Sequence, residues 1–215
     1  MVSPIVRKDG DIFKNNYDYL CAQSRKALFA LKSRLINASP TPPTLMLKLF
    51  DATVKPILTF GSDIWGLNSV AQDKIDVFHR AFLKHLLCVK TSTCNSFVYG
   101  ETGCFPLSID LSAFTYRFFH RLINLPKTTL AKYVFDEMMR LSNLGFNSWV
   151  TKVHQSLTEI GLNDSLSLPV GKFKILCYSK LREKYICDCS KYIHPVHSTR
   201  SSSSQASFSG SLSFF

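Results

Sequence analysis

The chain has 215 residues, 46% of them apolar and 13% aromatic, and a net charge of +11. That length supports one ordinary domain with a real core. It excludes a membrane-spanning helix, since no run approaches the roughly 18 uninterrupted apolar residues such a helix needs. The first residues, charged from Arg7 onward, lack the apolar stretch of a secretory signal. Seven cysteines, an odd set without a Cys-x-x-Cys pair, argue against a secreted disulfide framework and for reduced thiols. The expectation is an intracellular protein, nuclear or cytoplasmic, with no membrane partner, no small-molecule substrate and no cofactor. Its basic balance favours a polyanionic partner.

Taken in chain order, Asp9-Gly10 is a hairpin signal within residues 1–16. A helix follows over 17–37, with Leu20, Ser24, Ala27, Leu28, Leu31 and Leu35 on one stripe, and the prolines at 40, 42 and 43 stop it. Residues 44–58 are again helical, with Pro56 expected to kink or end them. Next come Gly61 and Gly66 on either side of Trp65, a joint between helices in which the ring fills a pocket. Ser69 and Gln72 have the spacing of a capping box. They open a helix with Ile75, Phe78, Phe82, Leu86 and Val89 inward and Asp76, Arg80 and Lys84 on another flank. After a short element at 95–103, Pro106 suits the start of a helix. That helix has an apolar stripe of Leu107, Leu111, Phe114, Phe118, Leu122 and Leu125, and a polar one of Asp110, Arg117, His120, Arg121 and Asn124. Helices over 129–142, 148–160 and 171–187 follow, separated at Gly145, Gly161 and Pro169. From Ser198 onward nine of eighteen residues are serine, a composition that cannot bury enough apolar surface to order itself. The pattern predicts an all-α helical bundle at 17–187, a short hairpin remnant at 1–16 and a flexible serine-rich tail at 188–215.

Three blocks in order carry a more specific reading: Ser24 to Leu35 (SRKALFALKSRL), Leu49 to Gly66 (LFDATVKPILTFGSDIWG) and Phe78 to Leu107 (FHRAFLKHLLCVKTSTCNSFVYGETGCFPL). Together they closely resemble the region just after the polymerase core in reverse transcriptases of non-LTR, LINE-type retrotransposons, over about residues 8–125. The resemblance implies a thumb-like helical region that supports a template and product duplex, with a polymerase core as a second partner. Catalysis in that family requires paired aspartates on a palm hairpin that hold two metal ions. This sequence has no adjacent Asp-Asp, so the expectation is a non-catalytic, truncated or degenerate fragment rather than an enzyme. Cys104 stands where the resemblance leads one to expect a basic or other long side chain, and the final segment matches no part of the family.

The expected nucleic-acid contacts are Arg25 and Lys32, on one flank of a helix that has no acid after Asp18, and Arg117 and Arg121, one turn apart beside Tyr116 and Phe119. A cation next to a ring can follow a phosphate backbone and stack on bases. The last long helix adds Lys172, Lys174, Lys180, Arg182 and Lys184 against Glu183. Weak, sequence-independent RNA or DNA binding follows, and the alternative is a protein–protein interaction module descended from the same sequence. Cys187, Cys189, His194 and His197 are of the right type for zinc, but the C-x-C spacing is too tight for the chain to turn around a tetrahedral metal, so no metal site is expected. Cys88 or Cys94 with His79 or His85 lack a shared face and a third orienting group, so they are not read as a catalytic set.

Overall fold

The computed structural model of the chain describes residues 13–35 and 42–193, the last three as backbone only. Among these residues all regular structure is helical, as the periodicity predicts. The expected hairpin at Asp9-Gly10 lies outside the described residues, as does the expected flexible tail of 188–215 except for residues 188–193, which are helical rather than flexible because α10 continues through them.

The elements are α1 (Lys14–Leu35), α2 (Pro43–Thr53), α3 (Lys55–Leu58), α4 (Ser62–Trp65), α5 (Ser69–Leu86), α6 (Asn95–Thr102), α7 (Leu107–Ile123), α8 (Leu130–Asn143), α9 (Trp149–Glu159), a 3₁₀ turn (Asn163–Ser167) and α10 (Val170–Ile193). Several boundaries differ from expectation for local reasons. The break near Pro56 falls two residues earlier, at Val54, because proline fits the first turn of α3, where its missing N–H is no loss. The first helix includes residues 14–16, and the last runs on to Ile193 rather than ending at Cys187. The cap of α5 is Asn68, not Ser69: its side-chain oxygen accepts the Ala71 N–H at 3.0 Å. A reciprocal capping box does occur at α9, between Ser148 and Thr151. Left-handed glycines end α6 at Gly103 and open the turns at Gly145 and Gly161.

Two apolar cores form, and α7 belongs to both. Leu107 and Leu111 join Leu20, Phe50, Leu58, Trp65, Ile75 and Phe82 in the first. Ile109, Tyr116, Phe119 and Leu122 join residues of α8, α9 and α10, among them Phe135, Val153 and Phe173, in the second. The sequence assigns α7 a single apolar stripe and a polar one. In fact it is covered on most of its circumference, so His120 is buried, stacked 4.4 Å from Phe173 with Nε2 2.9 Å from the Leu168 carbonyl oxygen. Phe114 and Phe118 are only half-buried.

Gly66 sets how close α4 comes to α7. A Cβ there would lie 2.6 Å from Thr115 Oγ1, 2.5 Å from the Ser62 carbonyl oxygen and closer still to that of Leu111. With no side chain in the way, the Thr115 hydroxyl donates to the Ser62 carbonyl at 2.8 Å. The Gln72 amide, which the capping-box reading aims at the helix start, instead donates to the Gly66 carbonyl at 2.6 Å and to Ser112 Oγ at 3.0 Å. Asp76, expected on a solvated flank, is buried and accepts the Ser108 N–H at 3.0 Å, so α5 caps an α7 that begins at a proline with no side-chain cap of its own.

Gly66→Ala is expected to cost on the order of 3 kcal/mol, because the obstructing atoms are mostly backbone and cannot step aside. Gly103→Ala, where a Cβ meets open space, is expected to cost only about 1 kcal/mol for its left-handed backbone. Urea unfolding midpoints of the two variants measure the difference. A second prediction concerns His79, buried and stacked 5.4 Å from Phe50. Burial, with the charges of Lys55 and Arg80 adding to it, lowers its pKa to about 3. A depressed folded-state value means that this contribution is complete above pH 6.5 and is lost as pH falls from there toward 3. Stability should therefore decline by up to about 1.4 kcal/mol per pH unit below pH 6. Burial raises Asp76 and acts with the opposite sign, a contribution present at low pH and lost as pH rises through the raised value. Denaturant titrations of wild type, His79→Phe and Asp76→Asn across pH 4.5 to 7 check both: the first variant should flatten the decline and the second should steepen it.

Candidate nucleic-acid interface

α1 lies against α2, α3 and α5, burying Tyr17, Leu20, Cys21 and Ser24 and packing Ala27 and Leu28 on the first core. Its C-terminal turns are less covered, which leaves Arg25 exposed and Lys32 half-buried, with burial lowering the Lys32 pKa. Arg121 is exposed near the C-terminal end of α7 and Arg117, one turn earlier, is half-buried, where α7 packs on α8, α9 and α10. The Arg117 guanidinium is 5.8 Å from the centre of the Phe114 ring and that of Arg121 is 5.3 Å from Phe118. The two expected pairs thus belong to different cores, and the fold presents them as two contact sets rather than one.

The rings expected beside Arg117 and Arg121 are not available to a ligand. Tyr116 is 2% exposed and Phe119 fully buried, because that side of α7 faces the second core. The Tyr116 hydroxyl is held by Ser156 Oγ at 2.6 Å. Arg117 is itself half-buried beside α10: burial pushes the Cys177 thiol up to about 12, and the Arg117 charge offsets only part of that.

Exposed rings occur instead on α1. Tyr19 is 61% exposed and Phe29 73%. At 100° per residue they fall on the outward arc with Ala22, Lys26 and Ser33, and Arg25 borders it. The sequence carries a signal for this, since both rings lie off the Leu20–Leu28–Leu35 stripe. A ring off the buried stripe of an amphipathic helix must face solvent.

The acid–base potential of α1 is one-sided. It carries five basic residues, Lys14, Arg25, Lys26, Lys32 and Arg34, against Asp18 alone. Asp18 is already held by Lys74 of α5. Arg25, Lys26, Lys32 and Arg34 make no ion pair among the described residues. On α10, Lys180 is paired with Glu183 at 3.2 Å and Lys184 with Glu159 at 3.4 Å. Lys172, Lys174 and Arg182 make no ion pair among the described residues, and Arg182 lies 4.8 Å over the Phe105 ring.

A groove of about 470 Å³ runs between α5, α7, α9 and α10, with Gln72, Ser112, Tyr116 and Ser156 in its wall and Lys152, Glu159, Lys184 and Asp188 around it. Its charges balance, so it does not extend the cationic face. A smaller hollow of about 190 Å³ at the start of α7 is bordered by Lys55, which is 2.8 Å from Asp110, and by Tyr178, whose hydroxyl donates to Asp110 at 3.1 Å. These groups tie α3, α7 and α10 together. Cys88 is exposed at the end of α5 whereas His79 lies in the core, so they form no nucleophile and base pair. Cys187 is exposed and Cys189 half-buried, while His194 and His197 lie outside the described residues. Among the described residues no group of three or more His, Cys, Asp or Glu side chains could hold a metal ion, and no helix is long and apolar enough to cross a membrane. No protein-family model, curated protein or solved structure matches the chain.

Proposed function

We propose that the chain is a non-catalytic helical module that binds RNA or DNA through phosphates, with little sequence preference, and that it corresponds to the thumb-like region behind the polymerase core of a LINE-type reverse transcriptase. The observation that carries the binding reading is the cationic side of α1, whose sole acid is engaged by α5. Four cations in reach of solvent without acidic partners hold condensed-phase potential for a polyanion, and the net charge of +11 adds long-range attraction. The all-α architecture is compatible with the retrotransposon reading, which rests on the three sequence blocks, and the absence of an adjacent aspartate pair is the ground for reading the module as non-catalytic.

A second reading has its own observation. Leu130, Tyr133 and Val134 on α8, with Leu144 and Phe146 just beyond it, are all 49% or more exposed. Such an apolar surface suits a protein partner, and on that reading nucleic acid plays no part.

Fluorescence anisotropy with labelled oligonucleotides separates the two. Phosphate-directed binding should give dissociation constants of about 10⁻⁴ to 10⁻⁶ M at physiological ionic strength and weaken log-linearly with salt. Arg25→Ala and Lys32→Ala should each flatten the slope by about one unit, and Arg117→Ala and Arg121→Ala should do the same as a second, separable set. Folded protein that fails to bind at low salt would reject the proposal in favour of the α8 surface.

A further inference from the structure

The outward arc of α1 combines charge with exposed rings, and that combination narrows the kind of nucleic acid it fits. Phe29 is one helical turn from Arg25 and Lys26 on one side and from Lys32 and Ser33 on the other. None of the three cations is engaged in an ion pair among the described residues, and Ser33 returns its hydroxyl to the Phe29 carbonyl at 3.0 Å, away from the ring. With small residues at Ala22, Ala30 and Ser33 around it, the Phe29 ring has no bulky neighbour to cover it on the arc. Tyr19 stands ten residues earlier, about 15 Å along the axis, and is exposed in the same way.

Duplex DNA and RNA keep their base faces stacked, so an outward ring finds no partner on them beyond the backbone. Unpaired bases present their faces, and stacking on an aromatic ring is tolerant of sequence. We infer that α1 is a single-strand binding surface, with Phe29 and Tyr19 stacking on unpaired bases while Arg25, Lys26 and Lys32 hold the phosphates between them. This rests on the polyanion-binding reading above and adds to it the form of nucleic acid preferred. Charge complementarity selects the occupant: a neutral apolar partner would leave three cations beside Phe29 without counter-charge.

The test uses the full chain and two labelled probes of matched length, an oligothymidine and a random-sequence duplex, titrated at two salt concentrations. The oligothymidine should bind more tightly. Phe29→Ala and Tyr19→Ala should each weaken it by on the order of tenfold, with the salt slope unchanged and duplex binding unaffected. Phe29→Trp should retain the affinity, whereas Phe29→Leu, apolar but without a ring, should not. Both side chains are exposed, so circular dichroism should be identical across the set. Ultraviolet crosslinking to a halogenated uracil probe should place the adduct on α1. Equal affinity for both probes, with ring variants like wild type and Arg25→Ala still lowering the slope, would overturn single-strand stacking and leave phosphate binding standing. No binding to either probe at low salt would overturn both. Ring variants that change the sedimentation of free protein, and not its oligonucleotide binding, would also overturn the inference, by assigning the rings to self-association.

Discussion

The backbone of α4 touches the backbone of α7 at Gly66, and the rest of the arrangement depends on that approach. With a side chain excluded, the carbonyls of Ser62, at the start of a four-residue helix, and of Gly66, just past its end, accept from the Thr115 hydroxyl and the Gln72 amide, so both have a side-chain partner. Trp65 then enters the first core at 4% exposure, closing the space between α4 and the helices on either side. A helix as short as α4 has no intrinsic stability of its own. It persists because α7, through Thr115, and α5, through Gln72, supply partners from outside it.

Several polar side chains tie α7 to its neighbours. Asp76 gives α7 the cap that Pro106 cannot, Asp110 collects Lys55 from α3 and Tyr178 from α10, and His120 reaches the Leu168 carbonyl. Each links α7 to a different neighbour by a directional bond, which fixes rotation about the helix axis where apolar packing alone would tolerate several settings. The outside of α1 differs from this pattern: there cations and rings coincide, and Arg25, Lys26, Lys32 and Arg34 make no ion pair among the described residues.

Much of the fold is legible in the sequence because it is written locally. The repeat of apolar residues every three to four positions locates the long helices, and Gly145 and Gly161 mark turns whose left-handed backbone only glycine adopts easily. What is not legible is what lies on the far side of each helix. A single stripe was the natural pattern for 107–125, yet α7 is enclosed from two directions, and so Tyr116, Phe119 and His120 are interior. Asp76 reads as a surface acid because nothing local reveals that a proline-started helix 32 residues later needs its oxygen. Asn68 takes the cap from Ser69 by a shift of one residue, and both are residue types that cap helices well, so local preference does not separate them. The candidate interface was half legible: Arg25 and Lys32 follow from charge, whereas the exposed rings of α1 had to be recognised by their departure from the buried stripe.

Sharing one helix between two cores also bears on how the molecule is made. A nascent chain that has emerged only as far as α6 still lacks Leu107 and Leu111 from the first core, the Ser62 carbonyl lacks the Thr115 hydroxyl, and the Gln72 amide lacks Ser112. The first core therefore closes only after α7 has been made. Once present, α7 completes one core and offers its other side to the second, which couples the two halves.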